Sequence, residues 1–326
     1  MAFIKRLHYY RRIFTAYLGP GKSQLTFWHE TPAANSRATA DRLGEYYMLF
    51  AEKADYAGHH DSAGIPMLDY RGKIGLQYNP IAIAQWGLAN FNRYASTRDA
   101  AAEEKCFKAA DWLRGNLQPN SFGVPVWNHF FDWEYRDTLK APWYSGLAQG
   151  QGISLLLRAA AASGKSEYLD SAKAAFESFV RQVPQGGVVF IDDRQDPWIE
   201  EYIVTPPTHI LNGFIWALWG LYDYALVFPA SPARTLFTQC VATLQKNLVR
   251  YDIGFWSLYE LAGTMLPMVA SPFYHRLHVV QLRIMHQLTG FSLFAETADR
   301  WEEYARNRVS RTRALAYKAA FKLCYY

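Results

Sequence analysis

The stretch Phe273-Tyr274-His275 opens an apolar segment of helical character, and it is the last of four such openings in the chain. Three earlier openings precede it at a spacing of 65 residues, namely Tyr78-Asn79-Pro80, Trp143-Tyr144-Ser145 and Thr208-His209-Ile210. Self-similarity at a fixed period indicates one supersecondary unit that is stacked several times. Each segment carries amides or imidazoles among its apolar residues, and such groups need a polar partner or a shared cleft.

Apolar residues at helical spacing, with capping residues and prolines at the starts, predict four helix pairs. Their approximate bounds are 80–96 with 98–117, 143–162 with 165–183, 206–228 with 231–249, and 272–289 with 291–307. A further helix is predicted over 38–56, and short extended pieces are predicted at 74–78, 188–191 and 255–259. The expected fold is all-α, an α/α toroid of helix pairs at 38–307 with short β-hairpins in its loops, a basic segment at 1–37 and a basic amphipathic tail at 308–326.

The composition narrows the range of functions. The 326 residues are 50% hydrophobic, which is enough for one large core. A net charge of +5 is a mild bias, and without a basic stripe or a nucleic-acid motif we expect no nucleic-acid partner. The 11 Trp, 22 Tyr and 20 Phe fit either a large aromatic core or a cleft whose rings stack on sugars, and composition alone favours the core.

The two ends of the chain and the cysteines give expectations about the cellular location of the protein. Residues 1–19 lack the apolar stretch of a secretory signal, and no apolar run approaches the roughly 20 residues of a membrane span. Both basic ends could lie on an anionic membrane surface, but solvated helices that close the fold are the favoured interpretation. The three cysteines have no metal-like spacing and indicate no disulfide framework. We therefore expect a cytoplasmic protein, with peripheral contact to the inner membrane as a further expectation.

The densest polar cluster is the loop 192–202, where acidic residues crowd beside Trp198 and Tyr202. A carboxyl group beside another and beside an apolar ring acquires a raised pKa and can act as a base, although an acidic run is more often a solvated turn. His275 and His278 lie three residues apart and share one helix face. No HExxH arrangement accompanies them, so a metalloprotease is disfavoured, and a cleft or a core position both remain open.

Five stretches in order over residues 76–306 carry a family pattern. They are YNPIAIAQWGL at 78–88, PWYSGLAQGQGIS at 142–154, EEY at 200–202 followed by LNGFIWALWGLYD at 211–223, SLYEL at 257–261 and YHRLHVVQL at 274–282. Together they resemble the D-glucuronyl C5-epimerases, which make L-iduronate in heparan sulfate and heparosan-type polymers. The chain lacks the β-rich insertion that animal members carry after the first of these helices. Ala262 stands where those members have an arginine.

The resemblance implies an isomerase that removes the C5 proton of a glucuronate and returns a proton from the opposite ring face. It implies catalytic roles for Glu201 as the base and for Tyr202, Tyr259 and Tyr274. It implies a substrate-binding role for eight more residues, Tyr78, Gln85, Tyr144, Gln149, Glu200, Asn212, His275 and His278. The implied partner is an acidic polysaccharide, with a homodimer as an open expectation. No catalytic metal or cofactor is expected, and the sequence leaves a structural divalent cation open.

Two other functions compete with the epimerase. A uronate lyase on the same kind of toroid would share the proton abstraction and then expel the 4-O substituent. A polysaccharide-binding or assembly protein could keep the fold without turnover, and the absent arginine is the best support for it.

Overall fold

The computed structural model describes residues 27–135 and 138–325. The basic, aromatic stretch at 1–19 therefore lies outside the described residues. The four predicted helix pairs are all present. Their bounds are α2 (Pro80–Thr97) with α3 (Ala100–Asn116), α4 (Gly146–Ser163) with α5 (Ser166–Phe176), α6 (Leu211–Val227) with α7 (Ala233–Asn247), and α8 (Pro272–Thr289) with α9 (Ser292–Arg306).

Side-chain caps account for much of the repeat seen in the sequence. Asn79 accepts hydrogen bonds from the first backbone N–H groups of α2, Ser145 does so for α4, and Ser271 for α8. Each satisfies N–H groups that a helix start leaves without a partner. The third repeat differs, because Ile210 precedes α6 and makes no side-chain cap.

Burial separates inner from outer helices. The inner helices α4 and α6 are buried on nearly every side, whereas outer helices such as α9 are buried along one stripe only. Consecutive inner helices pack on one another in the order α2, α4, α6 and α8, and each also packs on its outer partner. The predicted α/α toroid is confirmed.

Residues 33–54 close the ring between α8 and α2. Gln287 Nε2 donates to the Ala38 carbonyl (2.7 Å), and Asn92 Nδ2 donates to the carbonyls of Met48 (2.8 Å) and Tyr46 (3.3 Å). The helix predicted over 38–56 is wrong except for one turn, α1 (Ala51–Ala54). The aromatic residues that suggested it point into the ring from irregular backbone, which these two amide side chains satisfy.

Short strands form the loops between pairs. They are β1 (His59–His60), β2 (Pro66–Asp69), β3 (Leu76–Gln77), β4 (Leu117–Pro119), β5 (Pro125–Trp127), β6 (Trp133–Glu134), β7 (Thr138–Leu139), β8 (Val189–Ile191) and β9 (Pro197–Ile199). All pairings between them are antiparallel. The extended pieces predicted at 74–78 and 188–191 match β3 and β8. The piece at 255–259 forms only isolated bridges, Asp252 with Ser257 and Leu258 with Val269.

The basic tail forms α10 (Arg308–Tyr325), which packs onto the toroid. Ala314 and Phe321 are buried, and the ring of Tyr317 meets that of Phe255 edge-on at 6.3 Å. Among the helices of the described residues, none has the length and apolar character needed to cross a bilayer.

The tightest contact in the core joins α4 to α6. A Cβ built on Gly220 would lie 2.4 Å from the Gly150 Cα, so the two backbones touch. Along the same interface, Arg158 Nη1 and Asp223 Oδ2 form a fully buried ion pair at 2.5 Å. Tyr47 donates to the Asp223 carboxylate (2.8 Å), and Arg158 Nε donates to the Gly44 carbonyl (2.8 Å). The pair thus joins both helices to the ring-closing segment.

Replacing Asp223 with Ala should lower the free energy of unfolding by about 3–5 kcal/mol, because Arg158 would be left buried without its counter-charge. Urea denaturation followed by circular dichroism would measure the change. As a matched control, Asp170→Ala removes an exposed carboxylate that pairs with Lys173 and should cost about 1 kcal/mol or less. Equal effects of the two substitutions would contradict a structural role for the buried pair.

Candidate active site

A cavity opens at the end of the ring where the inner helices begin. Its volume is about 280 Å³. Its walls are mostly aromatic, formed by Trp28, Tyr70, Phe131, Trp133, Tyr135, Trp143, Tyr202, Trp216, Tyr259 and Tyr274. Polar groups project among them, namely His29, Asn79, Glu134, Glu201, Asn212, Ser271, Lys318 and Lys322. Apolar walls with a few convergent polar groups are typical of a small-molecule or sugar site.

The β8–β9 hairpin and two glycines position Glu201. Val189 pairs with Ile199 in the hairpin, and the backbone at 200 then meets the start of α4, where Gly146 N donates to the Glu200 carbonyl at 3.0 Å. A Cβ on Gly213, in the first turn of α6, would lie 2.2 Å from Glu201 Oε2. The absence of a side chain at Gly146 lets the backbone at Glu200 approach α4, and its absence at Gly213 lets the Glu201 carboxyl group lie against α6.

The two adjacent glutamates have different surroundings. The Glu200 carboxylate contacts His209 twice, accepting from its backbone N–H (3.1 Å) and lying 2.5 Å from its Nδ1. These contacts hold the loop at His209, and Glu200 is not among the residues that line the cavity. Glu201 does line the cavity, where Asn212 Nδ2 donates to its Oε2 at 3.3 Å.

Burial raises the pKa of Glu201 to about 8. The charges of Glu260 and Glu200 act in the same direction, whereas hydrogen bonds from Tyr202 and Asn212 act against it. A carboxyl group with such a pKa can exchange a proton near neutral pH, which suits a general acid or base.

Three tyrosines stand with Glu201 at the cavity. The rings of Tyr259 and Tyr274 meet edge-on at 4.9 Å, and the Tyr259 carbonyl accepts from the N–H of Leu211 at the start of α6 (3.1 Å). Tyr202 packs edge-on against Trp143 at 5.6 Å. Burial raises the pKa values of Tyr202 and Tyr259 well above the ordinary value, and the charge of Glu201 adds to this. These two hydroxyls are neutral hydrogen-bond donors at physiological pH.

Several residues implied as substrate-binding lie in the core instead. Gln149 Oε1 accepts from the Trp127 N–H (3.0 Å), and its Nε2 donates to Ser178 (3.1 Å). His275 and His278 both contact Ser257 through Nδ1, at 2.8 and 3.0 Å. All three side chains are fully buried. Of the two positions left open for the histidines, the core is therefore the one observed.

Three more implied residues also lie away from the main cavity. Tyr78 is partly exposed and donates to Asp61 (2.6 Å), and Tyr144 donates to the Gly187 carbonyl (3.4 Å). Gln85 donates to Gln151 (3.1 Å) and lines a second, smaller cavity that shares Trp216 and Tyr274 with the main one. Glu201, Tyr202, Asn212, Tyr259 and Tyr274 are the implied residues that the fold brings together at the cavity.

Two lysines of the site were not predicted from the sequence. Lys318 and Lys322 reach the cavity from α10, and Lys318 Nζ donates to the Val269 carbonyl at 2.7 Å. Their spacing from Ala314 and Phe321 places them on the apolar stripe of the helix, and that stripe was the only available signal. Within residues 27–135 and 138–325, no group of three or more His, Cys, Asp or Glu side chains could hold a metal ion.

A family model and a curated relative both indicate the same protein family. A family model described as the D-glucuronyl C5-epimerase C-terminus matches residues 121–303, more than half of the chain. A D-glucuronyl C5-epimerase of Caenorhabditis elegans is 33% identical over 217 residues, which cover 61% of this chain and 34% of that protein. An uncharacterized protein of Methanocaldococcus jannaschii is 27% identical over 246 residues, covering 71% of this chain and 78% of that one. The chain thus spans about a third of the nematode relative.

Solved structures were also compared. A family 76 glycoside hydrolase from a bovine Bacteroides thetaiotaomicron strain superposes with a TM-score of 0.44 at 13% identity, covering 69% of this chain and 44% of that chain. An unsaturated glucuronyl hydrolase from Streptococcus agalactiae gives a TM-score of 0.44 at 16% identity, covering 72% and 58%. The resemblance inferred from the five sequence stretches is confirmed by the family model and the nematode relative.

The Glu201→Gln variant should become increasingly stable relative to the parent protein as the pH rises. The pKa of Glu201 is raised from 4.5 to about 8, so between these values the folded chain holds a proton that the unfolded chain has released. Its free energy of unfolding therefore falls with pH across that window, by at most about 1.4 kcal/mol per pH unit, and the Gln variant lacks this loss. Urea denaturation of both proteins from pH 5 to 9 measures the difference.

The matched control is Glu104→Gln on the exposed face of α3. A neighbouring Lys108 lowers the pKa of Glu104, so both its folded and unfolded forms are ionised across pH 6–9. Its effect should be constant over that range. A constant difference between Glu201→Gln and the parent protein would show that Glu201 is ionised normally.

Proposed function

The chain belongs to the D-glucuronyl C5-epimerase family, and from that membership we propose that it inverts C5 of glucuronate residues in an acidic glycan, giving L-iduronate. The observation that carries the proposal is the buried Glu201 carboxyl group, which shares one aromatic cavity with Tyr202, Tyr259 and Tyr274. Both interpretations of the aromatic content hold, because rings such as Trp219 and Trp301 are buried in the core whereas Trp133 borders the cavity.

The chemistry sets three requirements. The C5 proton of a glucuronate is weakly acidic while the adjacent carboxylate is charged, so the site must offset that charge and stabilise an enolate-like intermediate. One group must remove the C5 proton, and another must return a proton on the opposite ring face. A lyase would share the removal of the C5 proton but not the return of a proton on the opposite face.

Glu201 meets the requirement for the base. Its ionised carboxylate takes the C5 proton, and the electrons of the C5–H bond pass into the C5–C6 bond and the carboxylate oxygens. Tyr274 then gives its hydroxyl proton to C5 from the opposite side, which leaves a protonated Glu201 and a tyrosinate. Return of the proton through solvent restores both groups. Neutral Tyr202 and Tyr259 donate hydrogen bonds to the oxygens that gain charge.

The aromatic walls fit a polysaccharide. Trp133, Trp143 and Trp216 line the cavity, and such rings pack on the apolar faces of pyranoses. Asn79 and Asn212 offer amide groups that can bind sugar hydroxyls. We propose an acidic polysaccharide as the substrate class, with the enzyme acting in the cytoplasm.

Glu201→Gln and Tyr274→Phe should each reduce hydrogen exchange at C5 by at least about a hundredfold, because each removes a group that moves a proton in the reaction. The measurement is deuterium incorporation at C5, followed by NMR, during incubation with heparosan in deuterated water. Circular dichroism would verify that both variants stay folded.

Matched controls are Glu104→Gln and Tyr94→Phe, which make the same changes on α3 and near the end of α2, away from the cavity. Both should exchange like the parent. Exchange retained in Glu201→Gln or Tyr274→Phe would remove that residue from the mechanism. Absence of exchange in the parent on every glucuronate glycan would contradict the epimerase, and an unsaturated product detected by ultraviolet absorbance would identify a lyase.

The value of kcat/KM should rise with pH up to about pH 7, because ionisation of Glu201 limits the rate on the acid side. The proton-accepting form of Glu201 is the ionised one, and its pKa of about 8 leaves only a small ionised fraction below pH 7. Each unit below about pH 7 should therefore cost roughly tenfold in kcat/KM. Initial rates of C5 exchange from pH 6 to 9 provide the profile, and a flat profile would exclude Glu201 as the base with this pKa.

A further inference from the structure

The last helix, α10, carries two lysines on the face that packs against the toroid. It lies beyond residues 121–303, which the family model matches. Ala314 and Phe321 hold this face in the core, and Lys318 and Lys322 follow them at helical spacing. Lysines usually occupy the solvent face of such a helix. Their position on the packed face therefore needs a reason.

Lys318 lies at the cavity and has one hydrogen bond to the backbone. Nζ donates to the Val269 carbonyl at 2.7 Å, and Lys318 lines the cavity together with Glu201, Tyr259 and Tyr274. An ammonium group has three donors, and the Val269 carbonyl uses one of them. The side chain is half-buried, so its charge is less screened than that of a surface lysine.

Charge at the cavity singles out these lysines. Among the described residues that line it, the basic side chains are Lys318, Lys322 and His29. Burial lowers the pKa of His29, and the charge of Lys53 adds to this, so the imidazole is neutral at physiological pH. The carboxyl groups of Glu134 and Glu201 line the same cavity, and neither can supply positive charge to an anionic ligand. A carboxylate ligand needs a cation here, and α10 is the element that brings one.

A structural role alone explains Lys318 poorly. Burial lowers its pKa to about 7, with Lys322 acting in the same direction and Glu260 against it. A half-buried ammonium group loses part of its hydration, and an apolar side chain of similar length would pack on the toroid without that cost. Binding of an anion next to Nζ would offset the cost through a charge-assisted hydrogen bond.

We propose that Lys318 binds the carboxylate of the uronate, with Lys322 adding positive charge, so that the C-terminal helix supplies the cation of the site. This inference rests on the proposed function, because it takes a uronate as the ligand. The lysine offsets the charge that makes the C5 proton hard to remove, and it also selects an acidic sugar over a neutral one.

The test compares two ligands on the full chain by isothermal titration calorimetry. One is a heparosan oligosaccharide, and the other is the same oligosaccharide with its glucuronates reduced to glucose. The parent protein should prefer the acidic ligand. Lys318→Met should weaken binding of the acidic ligand about ten- to hundredfold and leave the reduced ligand unaffected, as expected for loss of a charged hydrogen bond.

Three further variants complete the test. Lys318→Gln keeps a donor for the Val269 carbonyl but removes the charge, so it should lose the preference even if Lys318→Met folds poorly. Lys318→Arg keeps the charge and should retain much of the preference. Arg311→Met removes one positive charge from the exposed side of α10 and should bind both ligands like the parent.

The inference is overturned if Lys318→Gln prefers the acidic ligand as strongly as Arg311→Met does, or if the parent shows no preference. Its failure is distinguishable from failure of the epimerase proposal. A parent that prefers the acidic ligand through Lys318 but exchanges no deuterium at C5 would contradict the epimerase alone. A parent that exchanges deuterium, together with an unchanged kcat/KM in Lys318→Gln, would contradict the inference alone.

Discussion

The contact between α4 and α6 through Gly150 and Gly220 sets the geometry on which the rest of the molecule depends. Because neither residue has a side chain, the two backbones touch, and a Cβ at Gly220 would require the helices to separate. The buried pair of Arg158 and Asp223 fixes the same interface further along. Near the helix starts, Gly146 packs against the backbone of Glu200 and Gly213 packs against the side chain of Glu201. One interface therefore runs from the ion pair in the core to the candidate base.

The parallel arrangement of the inner helices determines where a site can form. Their starts gather at one end of the ring, where Asn79, Ser271 and Asn212 meet the cavity. Helix starts carry partial positive charge, which favours an anionic ligand at that end. The same end receives Glu201 from the β8–β9 hairpin and Lys318 from α10. The ring thus provides a rigid frame, and loops and the last helix provide the groups that act on the ligand.

The sequence predicted the helices well, because apolar periodicity and prolines at the helix starts are local signals. It also grouped Glu201 with Tyr202, Tyr259 and Tyr274 through the family pattern. It could not separate cavity from core at Gln149 and His275, since a polar residue on an inner helix looks the same whether it meets a ligand or the protein. The segment 38–56 was misjudged for a related reason: its aromatic residues fit helical spacing, while distant amides fix its actual path.

The lysines of α10 are residues that the sequence did not place at the site although they lie there. In the sequence, Lys318 belongs to a basic amphipathic tail, and only the packing of Phe321 turns it toward the cavity. Burial disfavours the charged form of both Glu201 and Lys318. It raises the pKa of Glu201 to about 8 and lowers the pKa of Lys318 to about 7. Before a substrate binds, both groups thus tend toward neutrality near pH 7. A bound carboxylate would favour the protonated lysine, whose charge would in turn balance the anionic intermediate. In that way a uronate would generate much of the electrostatic environment that its own deprotonation requires.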